Sequence, residues 1–336
     1  MARVPEAPPL TRDRLAALLE GMRGRRVVVI GDAMLDRYLV GDIDRISPEA
    51  PVPVVNVTER RQALGGAANV AANVAALGAH AELVGIVGTD RKGETLRQEL
   101  DRLGIGSRCL LTLPGRPTTT KTRVVARGQQ VVRIDEEEAG ELSTDASERL
   151  AALAEEAIAT ADVVLFEDYD KGALHPIVIA RAMAAARGRG LPTVADPKFA
   201  AFFLYSGATV FKPNRRELVT AIPGIDLASD AELRGAAERL GVEHLLLTLG
   251  AEGMRLIPRR PDAPIHAIAA VAREVYDVSG AGDTVTAWAG SALAAGAGVL
   301  EAAQLANLAA GVEVGKRGVA TVSPEEVLAA HRVGGR

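Results

Sequence analysis

Four short runs constrain this fold more than anything else in the chain: 26–32 (RVVVIGD), 162–168 (DVVLFED), 191–197 (LPTVADP) and 244–250 (HLLLTLG). Each is apolar without alternation and closes on a small or acidic residue. A strand with one wet face alternates. A run that is apolar throughout is buried on both faces, as in a parallel sheet. Helical patterns at 145–160, 173–189 and 229–240, and one starting near Asn214 after a strand near 208–212, supply the cover. Strands alternating with helices predict an α/β fold with helices on both faces of a mostly parallel sheet.

The remaining segments extend this pattern or depart from it. Helices are predicted at 11–22, within the Ala-rich stretch 65–79 with Gly78 as its C-cap, and at 90–103, with a strand at 81–88. A short β segment within 254–270 precedes helices at 281–296, 300–315 and 323–332. Two stretches do not fit the main layer. Residues 37–61 carry Pro48, Pro51 and Pro53 and the alternating VPVVNV, and 117–135 reads as a Thr- and Val-rich hairpin. They predict one small sheet, from about 37–62 and 117–135, projecting from the domain. The 336 residues suit one large α/β domain or two modest ones. No linker is visible, and the ends, 1–8 and 334–336, read as disordered.

Composition excludes several functions. Hydrophobic residues make up 48% and aromatics 3%, so the core is built from Ala, Val, Leu and Ile. The net charge of −4 is interspersed, which argues against nucleic-acid or membrane-surface binding and for a small ligand. The lone Cys109 permits no intrachain disulfide and fits a reducing cytoplasm. The five histidines lack metal-ligand spacing. The first residues mix Glu6, Asp13 and Glu20 with arginines, unlike a signal peptide. No run of about 18 apolar residues predicts a membrane span.

Ligands of open parallel sheets bind beyond the carboxyl ends of the strands. Asp32, Asp36, Asp168, Lys171, Asp196, Lys198, Asn214, Glu217, Thr248 and Gly250 all fall at such ends, although a turn Asp is commonly only a cap. The stretch 277–284, DVSGAGDT, says more. Gly280, Ala281 and Gly282 feed a helix, and small residues at a helix start expose amide N–H groups to an anion. Asp283 in that turn repels a phosphate but suits a base taking a proton from an attacking hydroxyl. It reads equally as a helix cap. No G-x-x-x-x-G-K-[ST] occurs, and GDAMLD is not G-x-G-x-x-G, so neither a P-loop nor a dinucleotide fold is supported.

Three of these stretches, in order, resemble the ribokinase-like (PfkB-type) carbohydrate kinases: GGAANVAANVAALG, KPNRRE and DVSGAGDT. The resemblance covers about 24–330 and implies a three-layer sandwich with a small β lid. GDAMLDRY, RISPEAPVPVV, QQVVRID, DYDKGAL and TVSPEEV narrow it to the D-glycero-β-D-manno-heptose 7-phosphate kinases of lipopolysaccharide-precursor synthesis. Some relatives fuse a nucleotidyltransferase; this chain resembles the stand-alone kinase. Ser279, Gly128 and Glu167 depart from the commonest pattern.

The resemblance implies ATP-dependent phosphorylation with Asp283 as base and the amides of Ala281, Gly282 and Asp283, approached across Gly280, as anion hole. It implies Mg²⁺ placed through water by Asn214 and Glu217, and nucleotide contacts from Thr248, Gly250 and Asn307. Asp277 would serve a monovalent cation such as K⁺. Asp36, Gly65, Gly66 and Asn69 match substrate-contact positions. The cation for a phosphorylated sugar is sought among Arg45, Lys121, Arg123, Arg127, Arg133 and Lys171, each of which reads equally as solvated surface. Asn73, Trp288 and Met254 read as packing residues. The lid predicts a homodimer. Another sugar kinase, a nucleoside kinase or a non-catalytic sugar sensor remain as alternatives.

Overall fold

The computed structural model describes residues 8–138, 140–271, 275–316 and 318–334. In chain order the strands are β1 (Arg26–Gly31), β2 (Ala33–Ile46), β3 (Pro53–Gly66), β4 (His80–Gly88), β5 (Leu110–Leu113), β6 (Thr120–Ala126), β7 (Gln129–Glu136), β8 (Val163–Glu167), β9 (Thr193–Asp196), β10 (Val210–Phe211), β11 (His244–Thr248), β12 (Met254–Pro258) and β13 (His266–Ile268). The helices are α1 (Arg12–Met22), α2 (Ala67–Ala76), α3 (Arg91–Arg102), α4 (Thr144–Ile158), α5 (Pro176–Gly188), α6 (Arg215–Ala221), α7 (Asp230–Leu240), α8 (Ala281–Ala294), α9 (Val299–Glu313) and α10 (Pro324–Gly334).

Nine strands form the large sheet in the order β13-β12-β11-β10-β9-β8-β1-β4-β5. It is parallel from β10–β11 across to β4–β5, with β12 and β13 antiparallel at one edge. The two faces bury separate cores. Val27, Val29, Val163, Leu165 and Val194 pack toward α1, α2, α8 and α9. Val28, Ile30, Val164, Phe166 and Ala195 pack toward α4, α5 and α7. This doubly covered sheet is why the strands read as unbroken apolar runs.

The small sheet has the order β3-β2-β6-β7. Two antiparallel hairpins join through parallel pairing of β2 with β6. Strands β2 and β3 run further than the proline-rich stretch suggests. Strand β3 reaches Gly66, so the helix occupies the Ala-rich part of 65–79 from Ala67, and Gly78, at φ 76°, sits just past its end. Strand β5 was not foreseen, because four residues of LLTL carry no period. Cys109 is buried beside it, and burial, with Glu82 nearby, pushes its thiol up to about 12. Helix α5 begins later than its pattern because His175 caps it and Pro176 takes the first turn. Gly334 closes α10, contrary to the expected disorder there, while 1–7 and 335–336 lie outside the described residues, as does Glu6. No described helix is long and apolar enough to cross a membrane.

Candidate active site

Gly280 has φ 95°, in the left-handed region, and turns the chain into α8. A side chain there would also press on Asn69 and Glu313. The amide of Ala281 leans on Val278 O at 3.4 Å, and the first helical bond runs from Thr284 N to Gly280 O at 2.9 Å. The N–H groups of Gly282 and Asp283 lie in the first turn, where the helix offers them no acceptor. Of the three amides expected to form an anion hole, those of Gly282 and Asp283 are the ones without an acceptor in the helix.

Asp283 is only 4% exposed. Its two oxygens accept separate hydrogen bonds, from Asn69 Nδ2 at 2.7 Å and from the Tyr169 hydroxyl at 2.6 Å. Burial lifts its carboxyl to about 6, against the pull of these two donors. Asn69, expected at the sugar, therefore holds the base. Asn73 is spent on packing: it donates to Asn69 O and accepts from Val322 N. Tyr169 has no counterpart in the sequence reading, although DYDKGAL contains it. Its loop is pinned by Asp32, which accepts from the amides of Tyr169 (2.8 Å), Lys171 (3.0 Å) and Ala173 (3.0 Å). Asp168 accepts from the Tyr205 hydroxyl at 3.1 Å, so it is a support rather than a ligand group.

Beyond Asp283 opens a cavity of about 700 Å³. Asn214, Glu217, Thr248, Gly250 and Asn307 line it together with Gly280, Ala281, Gly282 and Asp283. Asn214 and Glu217 form a reciprocal capping box on α6: Asn214 Oδ1 accepts from Glu217 N at 2.9 Å and Glu217 Oε2 from Asn214 N at 2.8 Å. The other Glu217 oxygen takes Lys198. Asn307 donates to Ala269 O at 2.8 Å. Thr248 bridges to Asn214 across the strand ends, and Gly250 takes a left-handed φ of 61° at the cavity wall. A buried carboxyl held by two donors thus adjoins a hollow whose walls offer helix-start amides, an arrangement that suits phosphoryl transfer.

Comparison with known proteins gives the same direction. The model of the pfkB family carbohydrate kinases matches residues 25–326. The chain belongs to that family. It is 45% identical over 323 residues to the bifunctional protein HldE of Pelobacter propionicus, covering 95% of this chain and 66% of that protein. It is 46% identical over 322 residues to the protein of that name from Caulobacter vibrioides, covering 94% and 65%. It therefore spans just under two thirds of the length of these relatives. Among solved structures it superposes on Arabidopsis thaliana ribokinase complexed with ribose and ATP at a TM-score of 0.70, 22% identical, covering 92% of this chain and 99% of that one. Escherichia coli phosphofructokinase-2 in complex with potassium gives 0.74 at 19% identity, covering 94% and 100%. These two likenesses establish the fold.

For a carbohydrate kinase, the small sheet sorts the remaining candidates. Gly65 and Gly66 end β3 against β2: a side chain at Gly65 would run into Asp36, and Gly66 has φ 54°. Asp36 is buried and paired with Arg123, so neither is open to a ligand without a change of partner. Lys171 is held by Glu137 at 2.7 Å and Arg133 by Asp135 at 2.9 Å. Arg127 donates to Ile43 O. Arg45 is exposed nine residues beyond Asp36 on β2, about 30 Å along the strand. Lys121 is different. It stands in register between Asp36 and Asp135, half-buried, with its ammonium 4.9 Å from the centre of the Tyr169 ring. Among the described residues it has no ion-pair partner. Burial lowers its pKa, so an anion arriving there would be welcome.

Proposed function

We propose that this kinase transfers the γ-phosphoryl of ATP to the C1 hydroxyl of D-glycero-β-D-manno-heptose 7-phosphate, giving the 1,7-bisphosphate and ADP. The observation that carries the chemistry is Asp283, fixed by Asn69 and Tyr169 at the start of α8. Its carboxylate takes the hydroxyl proton as the sugar oxygen bonds to phosphorus and the bond to the ADP oxygen breaks. The amides of Gly282 and Asp283 and the helix dipole face the charge on the transferring group. The sugar is read from the resemblance in RISPEAPVPVV and its companion stretches, and the identity with the HldE proteins supports it. Lys121 is our candidate for the 7-phosphate.

The whole chain is read as one kinase domain, with the small sheet as a lid over the sugar, working in the cytoplasm. Among the described residues no cluster of three or more His, Cys, Asp or Glu is arranged to hold a metal ion. Mg²⁺ would arrive on the ATP phosphates, with Asn214 and Glu217 reached through water; bound so, it would neutralise phosphate charge. Asp277 would serve a monovalent cation. Nearby Glu313 is fully buried with neither oxygen hydrogen-bonded, and burial, with Asp283 and Asp277 adding to it, lifts its carboxyl to about 8. An orphaned carboxyl beside Asp277 fits a cation there. Ile46, Val52, Val132 and Ile134 stand exposed on or beside the small sheet, which supports a homodimer through it.

A panel of sugars with coupled ADP detection tests the substrate. Turnover with heptose 7-phosphate is expected. Turnover with ribose or fructose 6-phosphate but not with heptose 7-phosphate would remove the specific claim and leave the kinase.

A further inference from the structure

The face of the large sheet under α8 changes character at its last residues. Along β8 it reads Val163, Leu165, Glu167; along β9, Val194, Asp196; and from β10, Val210, Lys212. Each strand is apolar until its carboxyl end, where it presents a charge. Glu167 and Asp196 are direct partners in the β8–β9 ladder, so their side chains stand next to each other on that face. Lys212 reaches Asp196 at 2.6 Å. All three are nearly or fully buried, at 1%, 8% and 3% exposed. The pair lies directly beneath the anion hole: a Cβ on Gly282 would be 3.6 Å from both Asp196 Oδ2 and Lys212 Nζ.

Glu167 is the member with no account. As a carboxylate it finds no donor for either oxygen. Two adjacent carboxylates, with Asp283 above them, face the buried ammonium of Lys212. A buried unpaired charge is costly, whereas a neutral acid is not. A neutral Glu167 has a proton to give, and its ladder partner Asp196 has an oxygen to receive it.

We propose that Glu167 is a positioning residue of this kinase: as a neutral carboxylic acid it donates a hydrogen bond to Asp196 and so fixes the Asp196–Lys212 pair beneath the Gly282 amide. The proposal rests on the family's phosphoryl transfer and not on the identity of the sugar. Burial, then Asp196 and Asp283, hold its carboxyl well above the ordinary range, while Lys212 pulls the other way. Tyr169, Tyr205 and Lys198 are the other titratable groups coupled to it. Deprotonation would set a second negative charge under the phosphoryl path, so it predicts a loss of turnover at alkaline pH.

The test compares wild type, Glu167→Gln and Glu167→Leu. Difference infrared spectra of wild type against E167Q come first, because they need no substrate. A carbonyl stretch of a protonated carboxylic acid, present at neutral pH in wild type and absent in E167Q, is expected. Turnover is then read by ADP release with whichever sugar the wild type accepts. E167L, checked for folding by its melting curve, should lose about tenfold in kcat with little change in KM for ATP. E167Q keeps a donor and should recover most of that loss, and its pH profile should lack the alkaline limb. No protonated-acid band, or an E167L enzyme with wild-type kcat, would overturn the proposal. A wild type inactive on heptose 7-phosphate but active on another sugar would overturn only the substrate assignment.

Discussion

At the carboxyl edge of the large sheet, Glu167, Asp196, Lys212 and Asp283 are all less than a tenth exposed. On the small sheet, Arg45 and Arg133 stand in solvent, and Arg133 is paired only with its strand neighbour Asp135. The contrast is one of dielectric. A charge at the first place acts at close range on the reacting group, while ion pairs at the second are screened and contribute little. On the proposed mechanism, bond-making belongs to the buried edge. On the same proposal, choice of sugar belongs to the small sheet, and there only to the side chains that turn inward.

That division can be broken experimentally. Asp283→Asn is expected to lower kcat by about a thousandfold while ATP binding, followed by calorimetry, is kept. The wild type should show the titration of this base. The carboxylate is the active form and its pKa is raised to about 6, so kcat/KM should climb about tenfold per pH unit below that value and level above it, until the alkaline fall expected from Glu167 sets in. The small sheet should answer differently. Lys121→Ala should raise KM for the phosphorylated sugar roughly tenfold to a hundredfold, with kcat little changed. Arg45→Ala should change kcat/KM by less than about twofold; a large loss would mean that the sheet delivers Arg45 to a site, for instance across a dimer. The smallest effect on turnover is expected where the sheet only associates. Ile134→Asp should convert a dimer to a monomer in sedimentation at micromolar concentration, and a wild type already monomeric there would refute the dimer.

Most of the fold was legible because the central strands β1, β8 and β9 of the large sheet are buried on both faces and say so in their composition. The glycine loop was legible for a related reason: Gly280 and Gly282 are small where a backbone must come close to something. Other features depend on which strands become neighbours. Nothing in VVLFED says that Glu167 will lie beside Asp196, since that follows from the β8–β9 pairing. The Asp36–Arg123 pair likewise needs the parallel pairing of β2 with β6, which no turn between them announces. Tyr169 was hidden in the same way. Its motif was visible, but its partner lies 114 residues further on.

Phosphorus NMR of the product formed from heptose 7-phosphate and ATP tests the central claim most directly. The account predicts a new resonance split by the anomeric proton, appearing beside a retained 7-phosphate as ADP accumulates. ADP and inorganic phosphate without a new sugar phosphate, or a second phosphate on any other carbon, would contradict it.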